Sequence, residues 1–152
     1  MQYAAHDRDF PPAIPSYVRR NQRARGFSIN IPSVNQVAET DFCGLVSGVS
    51  IDKISTCDFH VFYGKLENTP LIEECPLNLE CTVVELKTLG SHILIVGEIV
   101  ECHISEECLT EGRPDVDKIR PLSYVSGYRA EYRSFGEALG PAFKIGNALK
   151  KQ

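Results

Sequence analysis

Two strand-length apolar segments flank Gly90, and this pair constrains the fold more than any other feature of the sequence. Residues 79–86 have the apolar phase of a strand, with a slip at Val83 and Val84 that predicts a β-bulge. Residues 93–96 form a continuous apolar run, which is typical of a central strand covered on both faces and is predicted to extend to about His103. The two strands, joined through the turn at Gly90, predict a long hairpin.

A second ordered region begins at Gly26. Residues 26–31 alternate apolar and polar side chains, which predicts a strand with one buried face that ends at Pro32. Ser33 followed by Gln36 predicts a capping box at the start of a helix. Gly48 is expected to end that helix as a left-handed C-cap. An apolar stripe follows helical spacing along it: Val34, Val37, Ala38, Phe42 and Leu45.

Shorter strands are predicted over residues 59–63 and 122–125, and residues 68–76 are expected to form a loop with extended pieces. Strands of these lengths, joined by hairpins and accompanied by one capped helix, predict a mostly β fold with minor α. The expected architecture is an antiparallel barrel rather than a parallel sheet.

Charge and prolines set residues 1–25 apart from the rest of the chain. This stretch holds five arginines against two aspartates, a net charge of +3, which leaves −7 on residues 26–152 and −4 overall. Its prolines predict an irregular leader before a single domain over 26–152. A nucleic-acid or membrane-surface arm is the alternative interpretation of the arginines.

The composition also excludes several classes of protein. The acidic body argues against nucleic-acid binding, and no apolar run reaches the 18 residues that a membrane span needs. No apolar signal-peptide stretch begins the chain, so a cytoplasmic location is expected. The six cysteines include two pairs with five intervening residues, a spacing unlike the short spacings of zinc sites, so reduced, structural cysteines and no metal are expected.

Two places in the sequence are candidates for binding a ligand, while the usual nucleophile and metal motifs are absent. His92 follows the Gly90 turn, where its ring can reach a ligand or can simply lie at a surface rim. Residues 43–53 place a helix end, the small residue Ser47 and Lys53 close together. Lysine is a compact charge suited to a phosphate, although a solvated Lys53 beside a helix-initiating Asp52 explains the same pattern.

Several motifs occur in one order across residues 26–148. They are FSINIPS at 27–33, FCGLVSG at 42–48 followed by Asp52 and Lys53, PLIEECPLNLEC at 70–81, LGSH at 89–92, VGE at 96–98, RPL at 120–122, YRSFG at 132–136 and AF at 142–143. As an ordered set they resemble the flavin reductase-like proteins of the flavoredoxin type, which have an FMN-binding split β-barrel.

The resemblance implies FMN bound non-covalently at a homodimer interface, NAD(P)H as electron donor, and a free flavin or a redox protein as acceptor. It also implies a role for four side chains. Lys53 matches a lysine that contacts FMN, and His92 matches a histidine that places the flavin and the nicotinamide, the implied catalytic residue. Tyr132 matches an aromatic residue near the flavin, and Ser47 lies at the rim.

Family members carry earlier strands that residues 1–25 do not resemble, so an N-terminally incomplete or divergent member is expected. The implied function is an NAD(P)H-dependent flavin reductase or an FMN electron carrier. A degenerate, non-catalytic fragment that binds flavin or only dimerises is the alternative.

Overall fold

The computed structural model of the chain describes residues 26–90 and 92–150, so the leader predicted over 1–25 lies outside the described residues. The described part is mostly antiparallel β-structure, as the sequence predicted. The strands are β1 (Gly26–Ile31), β2 (Val61–Phe62), β3 (Leu71–Ile72), β4 (Leu77–Leu89), β5 (His92–Ile104), β6 (Leu109–Thr110), β7 (Arg113–Pro114), β8 (Ser123–Val125) and β9 (Glu131–Arg133). The α-helices are α1 (Val37–Leu45), α2 (Lys53–Thr56) and α3 (Val116–Ile119), and 3-10 turns occupy Val34–Gln36, Glu106–Cys108 and Ile145–Leu149.

The main sheet has the order β1–β4–β5, and both pairings are antiparallel. The hairpin predicted around Gly90 is confirmed, and each of its strands is 13 residues long. A register shift between Val83 and Glu85 confirms the predicted bulge, and a second shift occurs between Glu80 and Cys81. The remaining strands form three separate two-stranded pairs.

The prediction that β5 is a central strand covered on both faces is wrong. Within the part of the chain that the structure describes, β4 is central and β5 is an edge strand. Leu94 and Ile99 on β5 are 48% and 58% exposed. A continuous apolar run reports hydrophobicity but not which neighbour covers it, so the run alone did not determine the position of the strand in the sheet.

The helical segment begins as predicted and ends differently. The Ser33 amide donates to Gln36 Oε1 at 2.9 Å, and the reciprocal capping bond is also present, which confirms the capping box. α1 ends at Leu45 because Val46 is extended and its amide bonds the Phe42 carbonyl at 3.2 Å. The predicted left-handed cap at Gly48 is therefore wrong. None of the nine residues of α1 is buried, and Leu45 is 75% exposed.

The buried part of the described chain lies mainly around the first half of β4. Its fully enclosed apolar residues are Leu71, Cys75, Cys81, Cys108 and Ile119. Three of these five are cysteines, which here behave as small apolar side chains. No helix in residues 26–90 and 92–150 has the length and apolar character that a membrane crossing requires. The cytoplasmic location therefore stays a prediction.

Candidate functional site

Lys53 lies against the last turn of α1. Its Nζ donates to the Cys43 carbonyl at 2.5 Å, in a partly buried position. The carbonyls of a last helical turn lack partners within the helix and carry partial negative charge, so a lysine there is favourable. Asp52 caps α2, because its Oδ1 accepts from the amides of Ile54 and Ser55 at 3.1 and 3.3 Å. Lys53 is therefore held in place, rather than solvated as one of the two interpretations had it.

Ser47 lies in the turn that connects α1 to α2, and its side chain is exposed. The Ser47 carbonyl accepts from the Ile51 amide at 3.1 Å, and Ser47 Oγ accepts from the Val49 amide at 3.3 Å. A Cβ added at Gly48 would lie 3.9 Å from Lys53 Cε, so the lysine side chain passes beside this turn. The structure thus brings Ser47 and Lys53 to the same end of α1.

Tyr132 on β9 also contacts α1. Its hydroxyl donates to Asp41 Oδ1 at 3.1 Å, and its ring lies 5.5 Å from the ring of Tyr124 on β8 at a 57° tilt. Burial, followed by the hydrogen bond and charge of Asp41, raises the pKa of Tyr132. The phenol therefore stays protonated at neutral pH and acts as a hydrogen-bond donor.

His92 lies far from these three side chains along the sheet. It begins β5 and pairs with Leu89 at the tip of the hairpin. α1 begins near the other end, because β1 runs into it and Ile31 pairs with Leu77 at the start of β4. The 13 residues of β4 span about 40 Å, whereas the nine residues of α1 span about 14 Å. The structure groups Ser47, Lys53 and Tyr132 around α1 and places His92 at the opposite end of the hairpin.

A buried carboxylate on β4 was missed by reasoning from the sequence. Glu80 is 0% exposed, and it accepts from the amides of Lys65 and Leu66 at 2.9 and 2.6 Å. It also accepts from Thr69 Oγ1 at 3.2 Å and lies 2.6 Å from His103 Nε2. The only signal in the sequence was a glutamate inside an apolar strand, because its partners are 11 to 23 residues away along the chain.

The surroundings of this carboxylate are closely packed. A Cβ at Gly64 would lie 2.1 Å from Glu80 Oε1, so only glycine lets the loop approach it. The His103 ring meets Phe62 edge-on at 5.5 Å, and both line a cavity of about 340 Å³ with Asn78. This cavity shares none of its lining residues with the group around α1. The Glu80 cluster therefore anchors the loop over residues 64–69 and is separate from the candidate ligand site.

Comparison with known proteins agrees with the fold and with the ordered motifs. The family model of the flavin reductase like domain matches residues 15–132, and the match includes residues 15–25 of the predicted leader. A solved flavoredoxin from Methanosarcina acetivorans is 40% identical with a TM-score of 0.79, and the alignment covers 85% of this chain and 68% of that one. The flavoredoxin of Desulfovibrio vulgaris (Miyazaki F) is 28% identical with a TM-score of 0.79, covering 88% and 71%.

A curated relative from Archaeoglobus fulgidus is 30% identical over 92 residues, which is 60% of this chain and 51% of the relative. The chain thus spans about half the length of the curated relatives that it matches. The family match covers well over half of the chain and confirms the resemblance seen in the sequence. This chain belongs to the flavin reductase-like family, and its fold is the FMN-binding split β-barrel of that family.

Proposed function

We propose that this chain binds FMN and works as an NAD(P)H-dependent flavin reductase or as an FMN electron carrier. The observation that carries the proposal is the likeness to a solved flavoredoxin, at 40% identity over 85% of the chain. The side chains around α1 supply the second line of support, because they have the chemistry that a phosphorylated flavin needs.

Lys53 would contact the anionic part of FMN. A lysine ammonium has three N–H donors, and the Cys43 carbonyl accepts one of them. Its partly buried position lowers the screening by water, which strengthens attraction to a phosphate or to a reduced flavin ring. The exposed hydroxyl of Ser47 in the adjoining turn would add a neutral donor at the rim.

Tyr132 would form one wall for the flavin ring. Its hydroxyl is held by Asp41 and its ring is paired with that of Tyr124, so its orientation is set before any ligand arrives. Hydride and electron transfer would be the chemistry of the bound flavin, with NAD(P)H as the hydride donor, so the protein itself needs no nucleophile. The work of these residues is to bind and orient the ligand.

His92 would join this site from a second copy of the chain in a homodimer. Within one copy it lies at the tip of the hairpin, at the end of β4 opposite to the start of α1. The same hairpin carries exposed apolar side chains, among them Leu89 and Val96, which are better covered by a protein surface than left in water. A dimer that covers the hairpin and brings its tip to the α1 of the partner satisfies both requirements.

Fluorescence titration with FMN tests the assignment of Lys53. We expect Lys53→Gln to weaken FMN binding about 10- to 100-fold, because a hydrogen bond to a charged group contributes about 1.5–3 kcal/mol. Lys65→Gln removes an exposed lysine elsewhere and serves as the matched control, with unchanged affinity expected. Equal weakening by both variants would contradict a specific role for Lys53.

The parent protein tests the function itself. It should retain FMN, show a flavin absorbance spectrum that NADH or NADPH bleaches without oxygen, and sediment at twice the chain mass. A colourless parent that binds no added FMN would refute the proposal and favour a degenerate fragment. A monomer that binds FMN as tightly as a dimer would refute the placement of His92.

A further inference from the structure

The cavity bordered by Phe62 and His103 has the size of a small-molecule site. Its volume is about 340 Å³, which lies within the range of about 300–1,000 Å³ that ligand pockets commonly have. It forms where the first residues of β4 face the last residues of β5, since Asn78 pairs with His103 across the two strands. Glu73 in its wall is exposed, whereas Asn78 is only 4% exposed. The cavity is therefore open to solvent at Glu73 and reaches a buried polar side chain at Asn78.

Asn78 carries a hydrogen-bond acceptor that no group in the described part of the chain satisfies. Its Nδ2 donates to the carbonyls of Ile72 and Cys75 at 3.1 and 2.9 Å, and these two bonds fix which end of the amide is the oxygen. Oδ1 is buried and accepts no hydrogen bond from residues 26–90 or 92–150. A buried acceptor without a partner is unfavourable. A ligand that brings an N–H or O–H group to Oδ1 would make a hydrogen bond that the described chain leaves unmade.

The charge of the cavity wall distinguishes between possible donors. Glu73 is an exposed carboxylate, and no lysine or arginine is among the described residues of the wall. His103 is bonded through Nε2 to Glu80 at 2.6 Å. Burial raises the pKa of the Cys75 thiol, which therefore stays neutral. The wall thus favours a cation over an anion.

The remaining wall is largely apolar. Phe62 and Ile104 line it, and the Phe62 ring is positioned by its edge-on contact with His103 at 5.5 Å. An aromatic side chain packs against other rings and also attracts a nearby ammonium group through its face. The ligand that suits this wall has an apolar ring as well as a positive charge.

We propose that this cavity binds a small organic cation in which an ammonium group is joined to an apolar ring. The ammonium donates to Asn78 Oδ1 and is attracted by the carboxylate of Glu73. The ring packs against Phe62 and Ile104. The cavity shares no lining residue with the group around α1, so this ligand would bind in addition to FMN and independently of it.

Titration of the ¹⁵N-labelled full chain with benzylamine at pH 7, followed by NMR, tests the proposal. Benzyl alcohol and benzoate carry the same ring without charge and with the opposite charge. We expect benzylamine to cause saturable shifts of the Asn78 side-chain NH₂ signals and of the backbone amides of Phe62, Glu73 and Ser105. Benzyl alcohol should bind more weakly, because it keeps the ring and a donor but lacks the charge, and benzoate should leave these signals in place.

Two variants supply the controls. Glu73→Gln should weaken benzylamine binding about 2- to 5-fold, the effect expected for an exposed ion pair, and leave the binding of benzyl alcohol unchanged. Glu67→Gln removes an exposed carboxylate outside the cavity wall and should change neither affinity. Shifts that rise without saturation, benzoate shifts as large as those of benzylamine, or equal effects of the two variants would overturn the proposal. The titration contains no flavin, so its outcome is independent of whether the parent binds FMN.

Discussion

Replacing Glu80 by glutamine isolates the contribution of the buried carboxylate, because the side chain keeps its size and loses its charge. Glu80 is fully buried and its carboxylate accepts four hydrogen bonds, two on each oxygen. His103 Nε2 and the Lys65 amide share Oε1, while the Leu66 amide and the Thr69 hydroxyl share Oε2. Glutamine has one carbonyl oxygen, so two of these hydrogen bonds to a charged group are lost, and one backbone amide, that of Lys65 or of Leu66, faces an NH₂ group that cannot accept from it.

The expected loss follows from those two hydrogen bonds. A hydrogen bond to a charged group contributes about 1.5–3 kcal/mol, and a buried donor left without a partner is similarly unfavourable. Glu80→Gln should therefore lower the free energy of unfolding by roughly 3–5 kcal/mol. This is a large part of the roughly 5–15 kcal/mol that stabilises a typical domain.

Urea denaturation at pH 7 measures the loss, and Glu101→Gln is the matched control. Glu101 lies directly opposite Glu80 in the β4–β5 register and is exposed, so its replacement should change the unfolding free energy by less than about 0.5 kcal/mol. In Glu80→Gln, hydrogen exchange should also show faster exchange at the Lys65 and Leu66 amides. A change below about 0.5 kcal/mol in Glu80→Gln would refute the reasoning.

The buried carboxylate of Glu80 also makes the free energy of unfolding depend on pH. Burial raises the pKa of Glu80, but the hydrogen bonds from His103, Leu66, Lys65 and Thr69 outweigh burial and hold the pKa below its ordinary value. A carboxyl with a lowered folded pKa stabilises the protein above its unfolded pKa of about 4.3, and this stability is lost as the pH falls through the folded pKa. The difference in stability between parent and Glu80→Gln should therefore shrink below about pH 4.3. A constant difference would contradict this assignment.

Three further sites give predictions: two glycines whose replacement by alanine should have opposite effects, and His60 with its partner Glu74. Gly97→Ala should lower the unfolding free energy by about 1–3 kcal/mol, because the new Cβ would lie 2.5 Å from Phe27 Cε1. Gly44→Ala on α1, where a Cβ meets nothing within 4 Å, should instead raise the free energy of unfolding by about 0.5–1 kcal/mol. Urea denaturation measures both variants, and equal effects of the two substitutions would contradict the different surroundings of the two glycines. His60 Nδ1 donates to Glu74 Oε1 at 2.6 Å, and this hydrogen bond raises the pKa of His60. The His60–Glu74 pair therefore stabilises the fold below about pH 6.5, and this stabilisation is lost as the pH rises through the pKa of His60 in the folded protein. NMR titration of Glu74→Gln should show the pKa of His60 returning towards about 6.5.

Local signals in the sequence predicted the elements whose formation depends on near neighbours. The Gly90 hairpin, the bulge at Val83 and the capping box of Ser33 were all confirmed. Each depends on side-chain alternation or on a hydrogen bond that spans a few residues. The same kind of reasoning failed at Gly48, because the extended backbone of Val46 ends α1 before a glycine is needed.

The candidate site was only partly accessible from the sequence. The motif order pointed to Ser47, Lys53 and Tyr132, but it did not show that all three meet α1. The contact from Tyr132 to Asp41 joins residues 91 positions apart, and no periodicity reports such a pair. The hydrogen bond from Lys53 to the Cys43 carbonyl was equally hidden, because a backbone acceptor carries no mark in the sequence.

The amino-acid sequence by itself determined the class of fold, the hairpin and the family, because apolar period, caps and motif order are properties of neighbouring residues. The tertiary structure alone decided that Glu80 is a buried anchor, that β5 is an edge strand in the described sheet, and that His92 lies at the far end from Lys53. These features depend on which distant segments of the chain pack together. Glu80, for example, becomes a buried hydrogen-bond acceptor only when the segments that carry its donors pack against β4.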